Sequence, residues 1–183
     1  MIQTLTKPLT LEEFLQLPET KPASEYIEGK ITQKPMPKGK HSLLQTELAT
    51  QINHNLKIPH LALALTELRC TFGNRSIVPD IAVFQWSKIP RDEDGTIADN
   101  FLIAPDWTIE ILSPEQSQTK VTKNILHCLE YGSELGWLLD PKEKAILTYQ
   151  PPKTITIYDQ PESILPMPSF SQDFHLKLGD IFD

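Results

Sequence analysis

Cysteine is nearly missing from this sequence. Cys70 and Cys128 are the only two in 183 residues, which excludes a disulfide-stapled scaffold and a Cys-rich zinc site. Glycine is scarce too, at 7, and none of the seven builds a phosphate-cradling loop, so strand cleavage driven by ATP within this chain is excluded. Positive charge is in deficit: 17 Lys and Arg stand against 24 Asp and Glu, a net charge of −7. That rules out a globally basic protein that coats nucleic acid, although a local basic cleft remains compatible with it. No apolar run approaches the roughly 18 residues that span a bilayer. Met1 to Thr6 lack the basic start and apolar core of a signal peptide, so the expectation is a cytoplasmic chain without membrane contact.

Proline is abundant, at 16, and falls mostly between periodic segments. The length predicts one domain over 1–183, large enough to bury roughly 70% of its unfolded surface. Thr10 with Glu13 three residues on reads as the capping box of a short helix ended by Pro18. Tyr26 to Thr32 reads as a strand or tight hairpin turning at Gly29. Leu44, Leu48, Ile52 and Leu56 recur every four residues and predict an amphipathic helix over Ser42 to Leu56. Leu61 to Cys70, Ile77 to Phe84, Trp107 to Leu112 and Gly136 to Pro141 read as strands, with Gln85 to Pro105 as an exposed excursion. Thr119 to Tyr131 reads as a helix closed by Gly132. Ala145 to Tyr149 and Thr154 to Tyr158 form a hairpin, and Leu176 to Phe182 a terminal strand or short helix. Interleaved strands and helices predict an α/β or α+β class with a mixed central sheet.

Two carboxylates stand in apolar surroundings: Asp80 within Val78-Pro79-Asp80-Ile81-Ala82, and Glu110 within Ile109-Glu110-Ile111-Leu112. Burying a carboxylate is costly unless it is paired or bound to metal. If their strands are neighbours, the two together would hold a hard divalent cation. The competing reading sets each at a strand edge facing water, and strand alternation places Glu110 opposite Ile109 and Ile111. On the helix from Thr119, Lys120, Lys123, Asn124, His127 and Tyr131 share a polar sector. Its first turn follows Glu110 by one short loop, so a Lys there can reach the carboxylates. A lysine beside a metal-binding pair suits phosphodiester hydrolysis, because the metal acidifies a water and the ammonium stabilises developing negative charge. Glu47, at the margin of its helix's apolar stripe, is either a boundary residue in water or a third ligand.

Nearly the whole chain resembles the Uma-type restriction endonuclease family, a bacterial branch of the PD-(D/E)XK nuclease superfamily once described only as a domain of unknown function. The residues that carry this are Glu25-Tyr26-Ile27-Glu28-Gly29-Lys30-Ile31, His41, Val78-Pro79-Asp80-Ile81-Ala82 and Ile109-Glu110-Ile111-Leu112-Ser113-Pro114. Tyr131-Gly132, Gly136 to Pro141 and Leu178-Gly179-Asp180-Ile181-Phe182 complete the series. The resemblance implies a restriction-endonuclease-like core, a mixed central sheet flanked by helices, with an N-terminal hairpin. It implies Asp80 and Glu110 as Mg²⁺ or Mn²⁺ ligands, the Ile111 carbonyl as another, and Glu47 as the helical acid of many superfamily members. The superfamily lysine stands two residues after the second carboxylate, where this chain has Leu112. The resemblance supplies it from the next helix, as Lys120 or its rival Lys123, with Lys120 closer to the strand end.

The leading expectation is therefore a metal-dependent endonuclease acting on DNA. An inactive nuclease-fold module that binds nucleic acid or a protein is the alternative, motivated by Leu112 and the net charge. For such a module, the run Lys30, Lys34, Lys38, Lys40 and His41 is either a phosphate-facing edge or a solubilising surface. A homodimer is compatible with both. The five histidines are scattered rather than spaced as zinc ligands.

Overall fold

The computed structural model describes residues 9–114, 116–171 and 173–182; Met1 to Thr6 lie outside them. Helix α1 (Leu11–Leu15) opens with the expected capping box: Glu13 N–H donates to Thr10 Oγ1 at 3.1 Å, and Thr10 N–H to Glu13 Oε2 at 2.8 Å. Strands β1 (Ser24–Ile27) and β2 (Lys30–Gln33) form a two-residue hairpin. Its turn residues Glu28 and Gly29 both take positive φ, 51° and 80°, the backbone that matches the twist of a tight hairpin. Helix α2 (Gly39–Leu56) follows, then β3 (Ala62–Thr66), β4 (Cys70–Phe72), β5 (Arg75–Ile77), β6 (Ile81–Gln85) and β7 (Trp107–Ile111). Helix α3 (Gln118–Glu130), β8 (Leu135–Asp140), β9 (Ala145–Gln150), β10 (Thr154–Tyr158) and α4 (Gly179–Phe182) complete the order.

The class is mixed α+β, with two sheets rather than one. Six strands run in the order β10-β9-β8-β7-β6-β3, and four in the order β2-β1-β5-β4. Only β7 and β8 pair in parallel within the large sheet. A parallel pair needs a long crossover, and α3 supplies it. Helix α2 lays Leu44, Leu48, Ile52 and Leu56 on one face, against Ile81, Val83, Trp107, Ile109 and Ile111. Helix α3 covers the other face with Val121 and Ile125 against Leu138 and Tyr149. Alternation along β7 thus turns Trp107, Ile109 and Ile111 toward α2, and Thr108 and Glu110 toward α3.

Four segments differ from the sequence reading. Leu61 to Cys70 is not one strand: β3 ends at Thr66 in the large sheet, and Cys70 already opens β4 in the small one. Ile77 to Phe84 is not one strand, because Pro79 has no N–H to give a ladder; β5 ends at Ile77 in the small sheet and β6 begins at Ile81 in the large one. The excursion over 85–105 is not wholly exposed, since Ile89 and Phe101 are buried against Phe84, Leu63 and Cys70. The polar sector of α3 is solvated only in part: Lys120, Lys123 and Tyr131 are exposed, while Asn124 and His127 are buried. Asn124 bonds to β1, His127 stacks on Phe72 of β4 with ring centroids 4.9 Å apart, and Tyr131 packs beside them. The small sheet covers Asn124 and His127.

Candidate active site

The site is built where β6 begins and β7 ends. The β6–β7 register pairs Ile81 with Ile109, so one step further sets Asp80 opposite Glu110 on the same face. Both are buried, at 1% and 3% exposure. Directly opposed like charges repel, and out of water they do so strongly. The compensation comes from Lys34, the first residue after β2. Its Nζ lies 2.6 Å from Asp80 Oδ1 and 3.6 Å from Glu110 Oε2, and donates to the Val78 carbonyl at 2.7 Å. The Lys34 amide is pinned to the Ala23 carbonyl at 2.9 Å, which fixes where the side chain starts.

The backbone contributes as well. Leu112 N–H bonds to the Leu139 carbonyl on β8, so the peptide groups of Ile111 turn toward β6. The Ile111 N–H donates to Asp80 Oδ2 at 2.7 Å. The same register sets Ile111 opposite Pro79, which has no N–H to offer the Ile111 carbonyl. From α2, His41 Nε2 approaches Asp80 Oδ1 at 3.4 Å, and Gln45, one turn later, donates to the Asp80 carbonyl at 2.8 Å. A third buried carboxylate, Glu25 of β1, accepts from Val78 N–H at 2.9 Å and from Asn124 Nδ2 at 3.2 Å.

One ammonium among three buried carboxylates splits their behaviour. Burial pushes Asp80 up, but Lys34 and the His41 contact outweigh it and hold its carboxyl at about 2. For Glu110 burial wins, aided by the Asp80 and Glu25 charges, and its pKa is raised well above the ordinary value despite Lys34. Glu25 is raised by burial too. Burial disfavours the Lys34 charge, yet Glu110, Asp80 and Glu25 reverse that and raise its pKa. Lys34 is therefore a standing cation, fitted to stabilise negative charge rather than to exchange a proton.

Of the residues singled out from sequence, Asp80, Glu110 and the Ile111 backbone converge. Lys120 and Lys123 are exposed on α3 and line a cavity with Glu25 and Lys34. Among the described residues neither makes an ion pair with Asp80 or Glu110. Glu47 is exposed: it sits about 200° around the helix from Gln45, which does face the site. Lys34, Glu25, Gln45 and Asn124 were not named as site residues from the sequence. The available signals were Lys34 in the basic run and Glu25 in the family hairpin. Among the described residues no three His, Cys, Asp or Glu side chains group as metal ligands.

A family model described as "Putative restriction endonuclease", Uma2, matches residues 11–179. The chain belongs to the Uma2 family. A solved structure agrees: a "putative nuclease belonging to DUF820" from Anabaena variabilis ATCC 29413 is 60% identical, with a TM-score of 0.94 over 96% of this chain and 98% of that one. No curated protein matches the chain. Family and structural neighbour alike support a nuclease. No helix of the described residues is long and apolar enough to cross a membrane.

Proposed function

We propose that this Uma2 chain is a Mg²⁺- or Mn²⁺-dependent endonuclease that hydrolyses phosphodiester bonds in DNA, with Asp80 and Glu110 as the metal-binding carboxylates. The observation that carries this reading is the opposed buried pair with a cation already lodged beside it. The ammonium of Lys34 stands where a positive charge is required, and the donors around it are hard oxygens, the kind that Mg²⁺ and Mn²⁺ prefer. The Ile111 carbonyl, with no strand N–H opposite, adds a further oxygen. Two carboxylates and a carbonyl are enough, because Mg²⁺ keeps several waters as ligands. A bound divalent ion would lower the pKa of such a water and screen the phosphate charge.

The remaining work falls to the chain. Asp80 is kept ionised by Lys34 and oriented by the Ile111 N–H. Glu110 gives up its proton more reluctantly, so cation binding there competes with protons. Lys34 occupies the role of the superfamily lysine that Leu112 cannot fill, reaching the carboxylates from the hairpin instead of from β7. Its fixed charge is suited to an oxygen of the scissile phosphate, where negative charge grows as the bond breaks. Glu25 holds the Val78 N–H and Asn124, and so ties the hairpin, the β5–β6 loop and α3 into one frame.

The test is relaxation of a supercoiled plasmid with Mg²⁺, Mn²⁺ or EDTA, comparing wild type, Asp80→Asn and Lys34→Met. A nick in a closed circle reports endonuclease chemistry directly. Cleavage in either metal that is lost in EDTA and in both variants is the expected result. A wild type that never cuts would instead favour the inactive nuclease-fold module, and Asp80→Asn cutting like wild type would remove Asp80 from the site.

A further inference from the structure

Two cavities flank the segment in which Lys34 and Pro35 pass over the carboxylates opposite Gln116, and these three residues line both. The first, about 410 Å³, is walled by Asp80, His41, Glu19, Glu67 and Lys21, acidic on balance. The second, about 480 Å³, gathers Lys30, Arg75, Lys120 and Lys123 around Glu25 and Glu28. Three elements bring these cations together: β2, β5 and α3. Arg75 is already paired with Glu28 at 2.6 Å. Lys30, Lys120 and Lys123 make no ion pair among the described residues, whereas Lys34, Lys88, Lys142, Lys153 and Lys177 each have a carboxylate. Lys120 and Lys123 are also three apart on a helix, where like charges repel. In a chain of net charge −7, three unpaired lysines around one cavity call for an anion.

The lining also says how that anion is read. Among the described residues no aromatic side chain lines the second cavity, so they offer no platform on which bases stack. Its unpaired cations are lysine ammonium groups on flexible stems, which neutralise phosphates without the fixed fork that reads guanine, and the one guanidinium, that of Arg75, is held by Glu28.

Resting on the nuclease reading above, we infer that this second cavity is the track for the sugar–phosphate backbone next to the scissile phosphate, with Lys30, Lys120 and Lys123 contacting phosphates irrespective of base. The DNA strand leaves the site along α3 and β2, not past Glu19 and Glu67. Lys120 and Lys123 are then phosphate-binding residues, while among the described lysines Lys34 is the one that touches Asp80 and Glu110.

The test is fluorescence anisotropy of a labelled 20-base-pair DNA duplex in EDTA, so that nothing is cleaved, over a salt series. Each phosphate contact contributes about 0.9 to the slope of log affinity against log salt on duplex DNA. Lys120→Ala/Lys123→Ala should flatten the wild-type slope by about 1.8, equally for duplexes of unrelated sequence. Lys57→Ala/Lys144→Ala, exposed lysines outside this cavity, should leave it unchanged. An unaltered slope in the first double variant, a loss that depends on duplex sequence, or no wild-type binding overturns the inference. Asp80→Asn separates the two readings. If it still cuts plasmid while the lysine pair flattens the slope, the catalytic assignment fails and the track stands; if it is dead and the slope is unchanged, the track alone fails.

Discussion

Replacing Lys34 with Met removes the ammonium from between Asp80 and Glu110 while keeping a side chain of similar length. Both partners are almost fully buried, the Lys34 side chain at 9% exposure and that of Asp80 at 2%. Removing one member of a buried ion pair costs about 3–5 kcal/mol, because it strands the other charge. The lower end applies here, since Glu110 is already inclined to hold a proton and relieves part of the repulsion by doing so. At roughly 2–4 °C per kcal/mol for a chain of this size, melting at pH 7 should fall by about 6–12 °C.

The sign of the pH dependence follows from Asp80. Its folded pKa of about 2 lies below the ordinary 3.8, so its pairing stabilises above pH 4 and that contribution, about 2 kcal/mol in full, is lost as pH falls toward 2. The variant no longer has this contribution to lose. Urea unfolding followed by tryptophan fluorescence should therefore give a gap of about 3 kcal/mol at pH 7, narrower by about 1 kcal/mol at pH 3. Equal stability at pH 7, or a gap that widens on acidification, would refute the reasoning.

Three further outcomes follow from the same geometry. Glu25→Gln keeps an acceptor for Val78 N–H and drops a buried charge, so urea unfolding should change by less than about 1 kcal/mol, whereas Glu25→Ala leaves two donors unpaired and should cost about 2–3 kcal/mol; the reverse order would contradict the frame described for Glu25. Glu110 and Glu25 have raised folded pKa values, so their contribution to stability falls as pH rises from the ordinary carboxylate range through those values. Mg²⁺ competes with the Glu110 proton, and its stabilisation in thermal melts should be larger at pH 7.5 than at pH 5; equal shifts would argue against carboxylate ligands. A Cβ at Gly136 would clash with Ile125 Cγ2, so Gly136→Ala should push α3 off the sheet at a cost of about 1–3 kcal/mol, read by calorimetric melting.

The two acids were legible because each interrupts an apolar run, and burying a carboxylate needs a reason. Their facing pair was legible only as a condition, that the strands be adjacent; the Ile81–Ile109 register supplies it. Lys34 was hidden by distance, since 46 positions separate it from Asp80 and a lysine among prolines has the look of ordinary surface. Helix phase explains Glu47: two positions from Gln45 on a 3.6-residue turn carries a side chain to the opposite side. The small sheet was not legible at all. β4 and β5 are three residues each, too short to show alternation, and β5 joins them to a hairpin strand some 50 positions earlier. Without that sheet the polar sector of α3 reads as solvated, and with it Asn124 and His127 become packing residues.

The central claim is a preformed oxygen site for a divalent cation made by Asp80 and Glu110. Calorimetric titration of Mn²⁺ into the protein bound to an uncleavable phosphorothioate duplex tests it most directly, wild type against Asp80→Asn. Saturable binding in the wild type that vanishes in the variant, with the duplex still bound by both, is the predicted result. Equal Mn²⁺ binding by both proteins, or none by the wild-type complex, would contradict it.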